Sequence, residues 1–304
     1  MHTIAIDIGG TKFSMAVFAG DRMVRRESRA TDREGGRDWM LEQIAAIGKG
    51  WSEELEVGRC GIGFGGPVDW RTGVIACSHQ VEGWSGFALG SWLESQIHAP
   101  VRVENDANTA ALGEALAGAG RGINPVFYVT MGSGVGGGLV VDRQIYHGRA
   151  PGEAEFGHLR LDRDGMIIES RCSGWAVDRR IRTAIVEEPS GVLARLAAGL
   201  NRGEAQFLRP ALDQGDHLAQ RLLVEVAEDL AMGLSHVVHL CHPSVVVLGG
   251  GLSLVGDPLR LGVAKALPRF VMSAFAPGPE IVLAGLAEDV VPVGALFLAE
   301  QIGA

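Results

Sequence analysis

The sequence predicts an α/β protein of two domains, and three observations carry the expectation. Val101 and Val103 alternate with polar neighbours, and Ala107, Ala110, Ala111, Leu112, Ala115 and Leu116 then recur at helical spacing, so a strand gives way to a helix at Asn105-Asp106. Two glycine turns, Gly9-Gly10-Thr11-Lys12 after Ile4–Ile8 and Gly132-Ser133-Gly134 after Val126–Met131, each run on into a second apolar strand. Strand-like and helical patterns alternate along the chain, as they do when helices pack on sheets.

The first turn leads into Phe13–Phe18 and the second into Leu139–Val141. Each of these second strands is followed closely by an Asp-Arg pair, Asp21-Arg22 and Asp142-Arg143, a weak internal repeat with one unit near the start of each half. Met40, Ile44, Ile47 and Trp51 share one helical face, and Ile62 and Phe64 form a short strand before Gly65-Gly66-Pro67. A helix covers Leu89–Ile97, and Asn105 and Asp106 are both good N-cap residues for the next one. No Pro/Ser linker separates the halves; the boundary falls near Gly118–Gly122, giving domains 1–118 and 119–288. A long helix runs from about His217 to Cys241 on the stripe Leu222, Val226, Leu230, Leu234, Val237 and Val238, and a last helix occupies Asp289–Glu300. His236, His239 and His242 read as partners of the long helix's C-terminal dipole or as surface residues, in preference to a metal site.

Length and composition narrow the function. A chain of 304 residues is long enough for two domains with proper cores. Four scattered cysteines (Cys60, Cys77, Cys172, Cys241) form no Cys-x-x-Cys and no disulfide framework, which suits a reducing compartment, so the cytoplasm is the expected location. No basic n-region opens the chain and Asp7 interrupts its first apolar run, so no signal peptide is expected. The charge-free run from Gly122 to Val141 is too rich in glycine for a membrane span, and a net charge of −9 argues against a nucleic-acid surface.

The carboxyl end of a strand is where an α/β sheet keeps its chemistry, which draws attention to Asp106. The positive end of the helix dipole favours its ionised form near neutral pH, and a positioned carboxylate can accept the proton of a substrate hydroxyl. Taken alone, such an Asp is more often an ordinary helix cap. At the two turns, glycine removes the Cβ and lets backbone N–H groups approach a polyphosphate. Neither turn has the Walker pattern or the Rossmann spacing, and either alone reads as a tight hairpin. Two such turns in matching contexts, with a strand-end Asp between them, point to phosphate chemistry.

These motifs resemble the ROK family of sugar kinases and repressors. The resemblance rests on Asp7-Ile8-Gly9-Gly10-Thr11-Lys12, Glu104-Asn105-Asp106-Ala107-Asn108-Thr109-Ala110-Ala111, Gly132–Gly138, Glu155-Phe156-Gly157-His158 and Val245–Ser253, in matching order and spacing over nearly the whole chain. It implies two actin-like, RNase-H-like domains with a cleft between them, a hinge close to Gly118-Gly120, and a last helix (about 289–304) that returns to the N-terminal domain. The implied reaction is transfer of the γ-phosphate of ATP to the 6-hydroxyl of a hexose with Mg²⁺. Glucose is the first choice; N-acetylmannosamine and fructose are the alternatives. In that scheme Asp106 is the base, and Asn105, Glu155, His158, Glu169 and Gly66 contact the sugar. Gly9, Gly10, Thr11, Lys12, Gly132, Ser133 and Gly134 hold phosphates, and Gly249, Gly250 and Gly251 form the adenosine side. Asp7 helps hold Mg²⁺, through water. The resemblance also implies a homodimer with a small-molecule sugar substrate and no nucleic-acid or membrane partner. A sugar-responsive repressor is disfavoured, because Asp7 stands too near the start for a preceding helix-turn-helix domain and the chain is acidic.

The chain departs from the family pattern twice. Many members build a zinc site from the Gly-His histidine and a Cys-x-Cys-Gly-x-x-Gly-Cys cluster. Between His158 and Glu169 this chain has Leu-Arg-Leu-Asp-Arg-Asp-Gly-Met-Ile-Ile, so no structural zinc is expected, and Met166, Ile167 and Ile168 are expected to pack the loop instead. In Ser78–Trp84, glucose-phosphorylating members often carry an Asn near Gln80; here Gln80 or His79 supplies the equivalent donor and acceptor.

Overall fold

A computed structural model describes residues 1–32, 34–78, 81–152 and 154–303. The chain begins with strands β1 (His2–Ile8), β2 (Lys12–Ala19) and β3 (Arg22–Ala30), helix α1 (Gly36–Glu54) and strand β4 (Val57–Phe64). A small hairpin, β5 (Val68–Asp69) and β6 (Val74–Ile75), precedes helix α2 (Leu89–Ile97), strand β7 (Val101–Asn105) and helix α3 (Asp106–Leu116). Next come β8 (Val126–Met131), β9 (Val135–Val141), β10 (Gln144–Ile145), α4 (Ile168–Cys172), α5 (Gly174–Glu187), α6 (Val192–Leu196) and α7 (Leu208–Asp213). The chain closes with α8 (His217–Cys241), β11 (Val245–Gly249), α9 (Asp257–Ala266), β12 (Glu280–Leu283) and α10 (Val290–Glu300).

The two large sheets share one strand order. The first is β3-β2-β1-β4-β7 and the second β10-β9-β8-β11-β12. In the first, β1 runs antiparallel to β2 and parallel to β4, which is parallel to β7; in the second, β11 is parallel to both β8 and β12. The repeat visible at the glycine turns is therefore a repeat of whole sheets. The chain divides into two compact units: Met1–Gly122 with Gly138–Glu153 and Glu288–Ala304, and Ile123–Gly137 with Ala154–Ala287.

In the first unit the two faces of the sheet are built differently. Ile4, Ile6, Ile8, Phe13, Met15 and Val17 share one core with Met40, Ile44 and Ile47 of α1 and Leu93 and Ile97 of α2. On the other face Ala5, Ala16 and Phe18 meet Ala295 and Leu296 of α10, and glycine and alanine stand where backbones come together. Close backbone approach explains the small residues. Gly61 on β4 lies against the Ala295 carbonyl, and Gly294 against the Thr109 carbonyl of α3, so a Cβ at either would overlap backbone. α10 thereby pins α3, whose first residue is Asp106, to the sheet.

In the second unit, β11 is buried throughout, and α8 buries Leu222, Val226, Leu230, Leu234, Val237 and Val238. Two of the histidines near the end of α8, His239 and His242, have structural partners. His242 takes the left-handed C-cap conformation and stacks on Phe275, and His239 Nε2 accepts the Met272 N–H at 3.1 Å. Among the described residues no helix is long and apolar enough to cross a membrane.

Candidate active site

At the end of β7 the helix cap is Asn105. Its Oδ1 accepts the N–H groups of Ala107 (2.9 Å) and Asn108 (3.2 Å), and its Nδ2 donates to the Gly66 carbonyl at 3.1 Å. One amide N–H of Asn105 is left for a ligand oxygen. Asp106 is the first residue of α3, is half-buried, and accepts the Ala107 N–H at 2.8 Å. Its carboxylate lies close to the first glycine turn: a Cβ on Gly65 would stand 3.5 Å from Asp106 Oδ2 and 3.6 Å from the Gly9 Cα.

That turn closes through the Gly9 N–H, which donates to the Lys12 carbonyl at 3.0 Å. Asp7 precedes it, in register with Ser14 of β2 and Gly63 of β4. Burial pushes the Asp7 carboxyl up to about 6, against the opposing pull of the Lys12 and Arg26 charges. Thr11 and Lys12 are exposed. A small pocket brings Gly9 and Gly10 together with Phe64, Gly65, Ser78 and Trp84, and Trp84 is fixed edge-on to Phe64 at 5.1 Å. His79 and Gln80, the sequence's candidates for an extra sugar contact, lie outside the described residues.

In the second unit, the Gly132 N–H donates to the Gly134 carbonyl (2.9 Å), and the Gly132 carbonyl accepts the Gly174 N–H (2.8 Å). Glu169 braces this turn. Its Oε2 accepts the Val135 N–H at 2.9 Å, and a Cβ on Gly134 would stand 2.5 Å from the same oxygen. Glu155 and His158 flank a single 3-10 turn, both exposed, while Phe156 and Gly157 between them are buried. At the third glycine turn, Gly249 lies against the Tyr128 ring and Gly250 (φ 78°) against the Met131 backbone, so packing accounts for both; a Cβ on Gly251 would meet open space.

The loop between His158 and Glu169 corrects one expectation. Ile168 is buried and packs toward Gly233 of α8, but Met166 is 41% exposed and Ile167 only half-buried. The loop closes by a backbone bond, Leu161 N–H to the Met166 carbonyl at 2.8 Å, so that residues 162–165 form the exposed turned end and Met166 stands beside it. Cys172 is buried with its Sγ 3.8 Å from the Val226 carbonyl, and burial pushes its thiol far up. Among the described residues, no group of three or more His, Cys, Asp or Glu is arranged to hold a metal ion. The half-buried carboxylate of Asp7 fits Mg²⁺, which commonly binds through one or two carboxylates plus substrate phosphates. Glu104 is a site residue that the motif contained but the sequence reading left unassigned: it is buried and accepts the Asn105 N–H at 2.8 Å.

Two sheets of one strand order, a glycine turn after the central strand of each, and a carboxylate at a strand end define an actin-like α/β protein equipped for phosphate chemistry. The chain belongs to the ROK family, whose model matches residues 3–302. The glucokinase of Thermotoga maritima is 30% identical over 313 aligned positions, covering 100% of this chain and 99% of that protein. The structure of a ROK family glucokinase from Streptomyces griseus in complex with glucose and AMPPNP superimposes with a TM-score of 0.85 at 31% identity, covering 99% of this chain and 100% of that one. A ROK hexokinase from Thermus thermophilus superimposes with a TM-score of 0.81 at 29% identity, covering 99% of each.

Proposed function

We propose that the chain is an ATP-dependent hexose kinase that phosphorylates a sugar 6-hydroxyl, with glucose the first substrate. The observation that carries the reading is the Asp106 carboxylate beside the Gly9 turn at the end of a parallel strand. Phosphoryl transfer asks little covalent chemistry of a protein, so catalysis rests on positioning and on spreading charge. In this scheme Asp106 accepts the proton of the sugar hydroxyl as its oxygen attacks the γ-phosphorus and ADP leaves. The free N–H of Asn105 bonds a sugar oxygen, and Glu155 and His158 read ring hydroxyls. Glu169 braces the second turn through one oxygen and has the other for the sugar. Backbone N–H groups of Gly9–Thr11 and Gly132–Gly134 hold phosphate oxygens. Asp7 would hold Mg²⁺ through water, and the ion would supply positive charge to offset that of the phosphate oxygens. The reading includes a homodimer, as the family resemblance implies, in the cytoplasm, which the cysteine usage suits.

The test is ATP consumption measured with glucose, N-acetylmannosamine and fructose in one buffer. The expected order of kcat/KM puts glucose first. A clear preference for either competitor overturns the substrate and leaves the kinase; no sugar-dependent ATP turnover across a hexose panel overturns both.

A further inference from the structure

Glu104 sits on the same cross-strand row as Asp7, because Asp7 pairs with Gly63 on β4 and Gly63 with Glu104 on β7. Its side chain is 1% exposed, and a buried carboxylate is costly unless its oxygens are bonded. Both oxygens are engaged. Oε1 accepts the Asn105 N–H at 2.8 Å and the Asn108 Nδ2 at 3.2 Å, and Oε2 lies 2.6 Å from His147 Nε2. One carboxylate therefore grips the chain just before Asp106 and again two residues after it.

His147 follows β10 and is itself held in place. Its ring stacks on Trp70 at 4.0 Å with 19° between planes, and Trp70 adjoins the β5–β6 hairpin, with the Arg71 guanidinium 5.1 Å from its ring centroid. His147 thus reaches the Glu104 carboxylate at the β7–α3 junction from a distant segment, with Trp70 stacked behind it from another. Charge-assisted bonds of this kind are short and directional, so they fix a side chain more tightly than neutral ones.

We infer that Glu104 and His147 are positioning residues that hold the Asn105-Asp106 junction so that the Asp106 carboxylate meets the acceptor hydroxyl; this rests on the kinase reading above. Neither residue touches substrate. They act through the backbone at Asn105 and the side chain of Asn108, which bracket Asp106. A misplacement of about 1 Å at a reacting group can cost on the order of 100-fold in rate, and that is the effect expected of losing the clamp.

The experiment is a double-mutant cycle on the full chain. Glu104→Ala should lower kcat about 100-fold with the KM for ATP little changed, and Glu104→Gln, which keeps an oxygen for the Asn105 N–H, should recover most of the rate. In an Asp106→Asn background, Glu104→Ala should produce almost no further loss, because a residue that acts only through Asp106 has nothing left to position. A general structural role would instead multiply the two losses, and that outcome overturns the inference. If Glu104→Ala does not fold, His147→Ala carries the same cycle with a smaller effect in the same direction. A readout independent of activity is amide exchange at Asn105, which should accelerate at least tenfold in Glu104→Ala while β1 amides stay protected; unchanged protection also overturns the inference. Absence of sugar-dependent turnover in the wild-type chain would instead count against the kinase reading, with the exchange result still deciding whether the clamp exists.

Discussion

At the first glycine turn, between β1 and β2, the Gly9 N–H closes on the Lys12 carbonyl, and charged side chains stand alongside: Asp7 before it, Lys12 within it, Asp106 across Gly65 from it. At the second, between β8 and β9, the Gly132 N–H closes on the Gly134 carbonyl, and the carboxylate beside it, Glu169, accepts the Val135 N–H. On the kinase reading proposed above, the same sheet and the same kind of turn serve different work. Polyphosphate oxygens can be held by backbone N–H groups alone, so the second turn needs a rigid shape and little else. Proton abstraction and metal retention need side-chain charge, and the carboxylates proposed for them, Asp106 and Asp7, stand beside the first turn.

Asp106→Asn breaks the comparison at its most sensitive point. Asn105 is the helix cap, so the amide at position 106 should leave the start of α3 intact and the melting temperature nearly unchanged. kcat should fall by roughly 10²–10⁴, the usual worth of a general base, measured at saturating sugar and ATP. Near wild-type turnover would mean that the charge at the first turn is not the base.

Asp7 tests the metal half of the same charge set. A group that acts on Mg²⁺ through water resembles an outer-shell partner, so Asp7→Asn should raise the Mg²⁺ concentration for half-maximal rate roughly 10- to 100-fold. The pH dependence has a definite sign. The carboxyl ordinarily titrates near 3.8 and burial raises it to about 6, so lowering pH through 6 adds a proton and removes the charge that attracts the metal. Mg²⁺ half-saturation should therefore rise as pH falls through that value. Lys12→Met removes one of the charges that pulls the Asp7 value down, so the same rise should begin at higher pH. A Mg²⁺ titration that is flat between pH 5 and about 7.5 would sink the assignment.

The brace on the second turn should matter less. In Gly134→Ala the new methyl would stand 2.5 Å from Glu169 Oε2 and displace it from the Val135 N–H. A hydrogen bond to a charged group is worth about 1.5–3 kcal/mol, and the lower end corresponds to roughly a tenfold rise in KM for ATP. If KM for ATP holds while KM for sugar rises, Glu169 serves the sugar and the brace is incidental.

Much of the architecture was legible because it is written in local pattern. Helices α2 and α8 lie at the expected bounds, since their apolar stripes run from end to end without interruption, and α10 begins one residue after the expected Asp289. Strand β3 was not legible: Arg22–Ala30 reads as a charged segment, because this edge strand buries no residue fully and carries Arg25, Arg26, Glu27 and Arg29. The full length of β4 was hidden by Gly58, Gly61 and Gly63, which weaken a strand signal; Gly61 and Gly63 leave room for α10. Motif spacing singled out Asn105, Asp106, Glu155, His158 and Glu169 as candidates, but not which of the first two caps the helix, nor that Glu169 reaches Val135. Those depend on side-chain reach across the fold. His147 carried no signal at all, since its partner is 43 residues away and nothing in its own neighbourhood marks it.

The smallest effect gives the cleanest separation of a phosphate cradle from an ordinary hairpin. A Cβ on Gly132 would meet no atom within 4 Å, and the residue does not need a positive φ, so Gly132→Ala should fold with stability within about 0.5 kcal/mol of the parent. If the turn is only a hairpin, the substitution changes nothing measurable. If a phosphate approaches the Gly132 backbone, the methyl occupies part of that space, and mild overpacking costs about 1 kcal/mol, close to a fivefold rise in KM for ATP. KM for the sugar should stay put, because the change lies on the nucleotide side of the proposed site. Gly9→Ala is the matching experiment at the first turn, where a Cβ would stand 3.2 Å from the Lys12 carbonyl and strain the turn itself. There a rise in KM should come with a lower melting temperature, whereas at Gly132 it should come without one. A fall in melting temperature at both positions, with ATP affinity unchanged at Gly132, would return the second turn to the status of a hairpin.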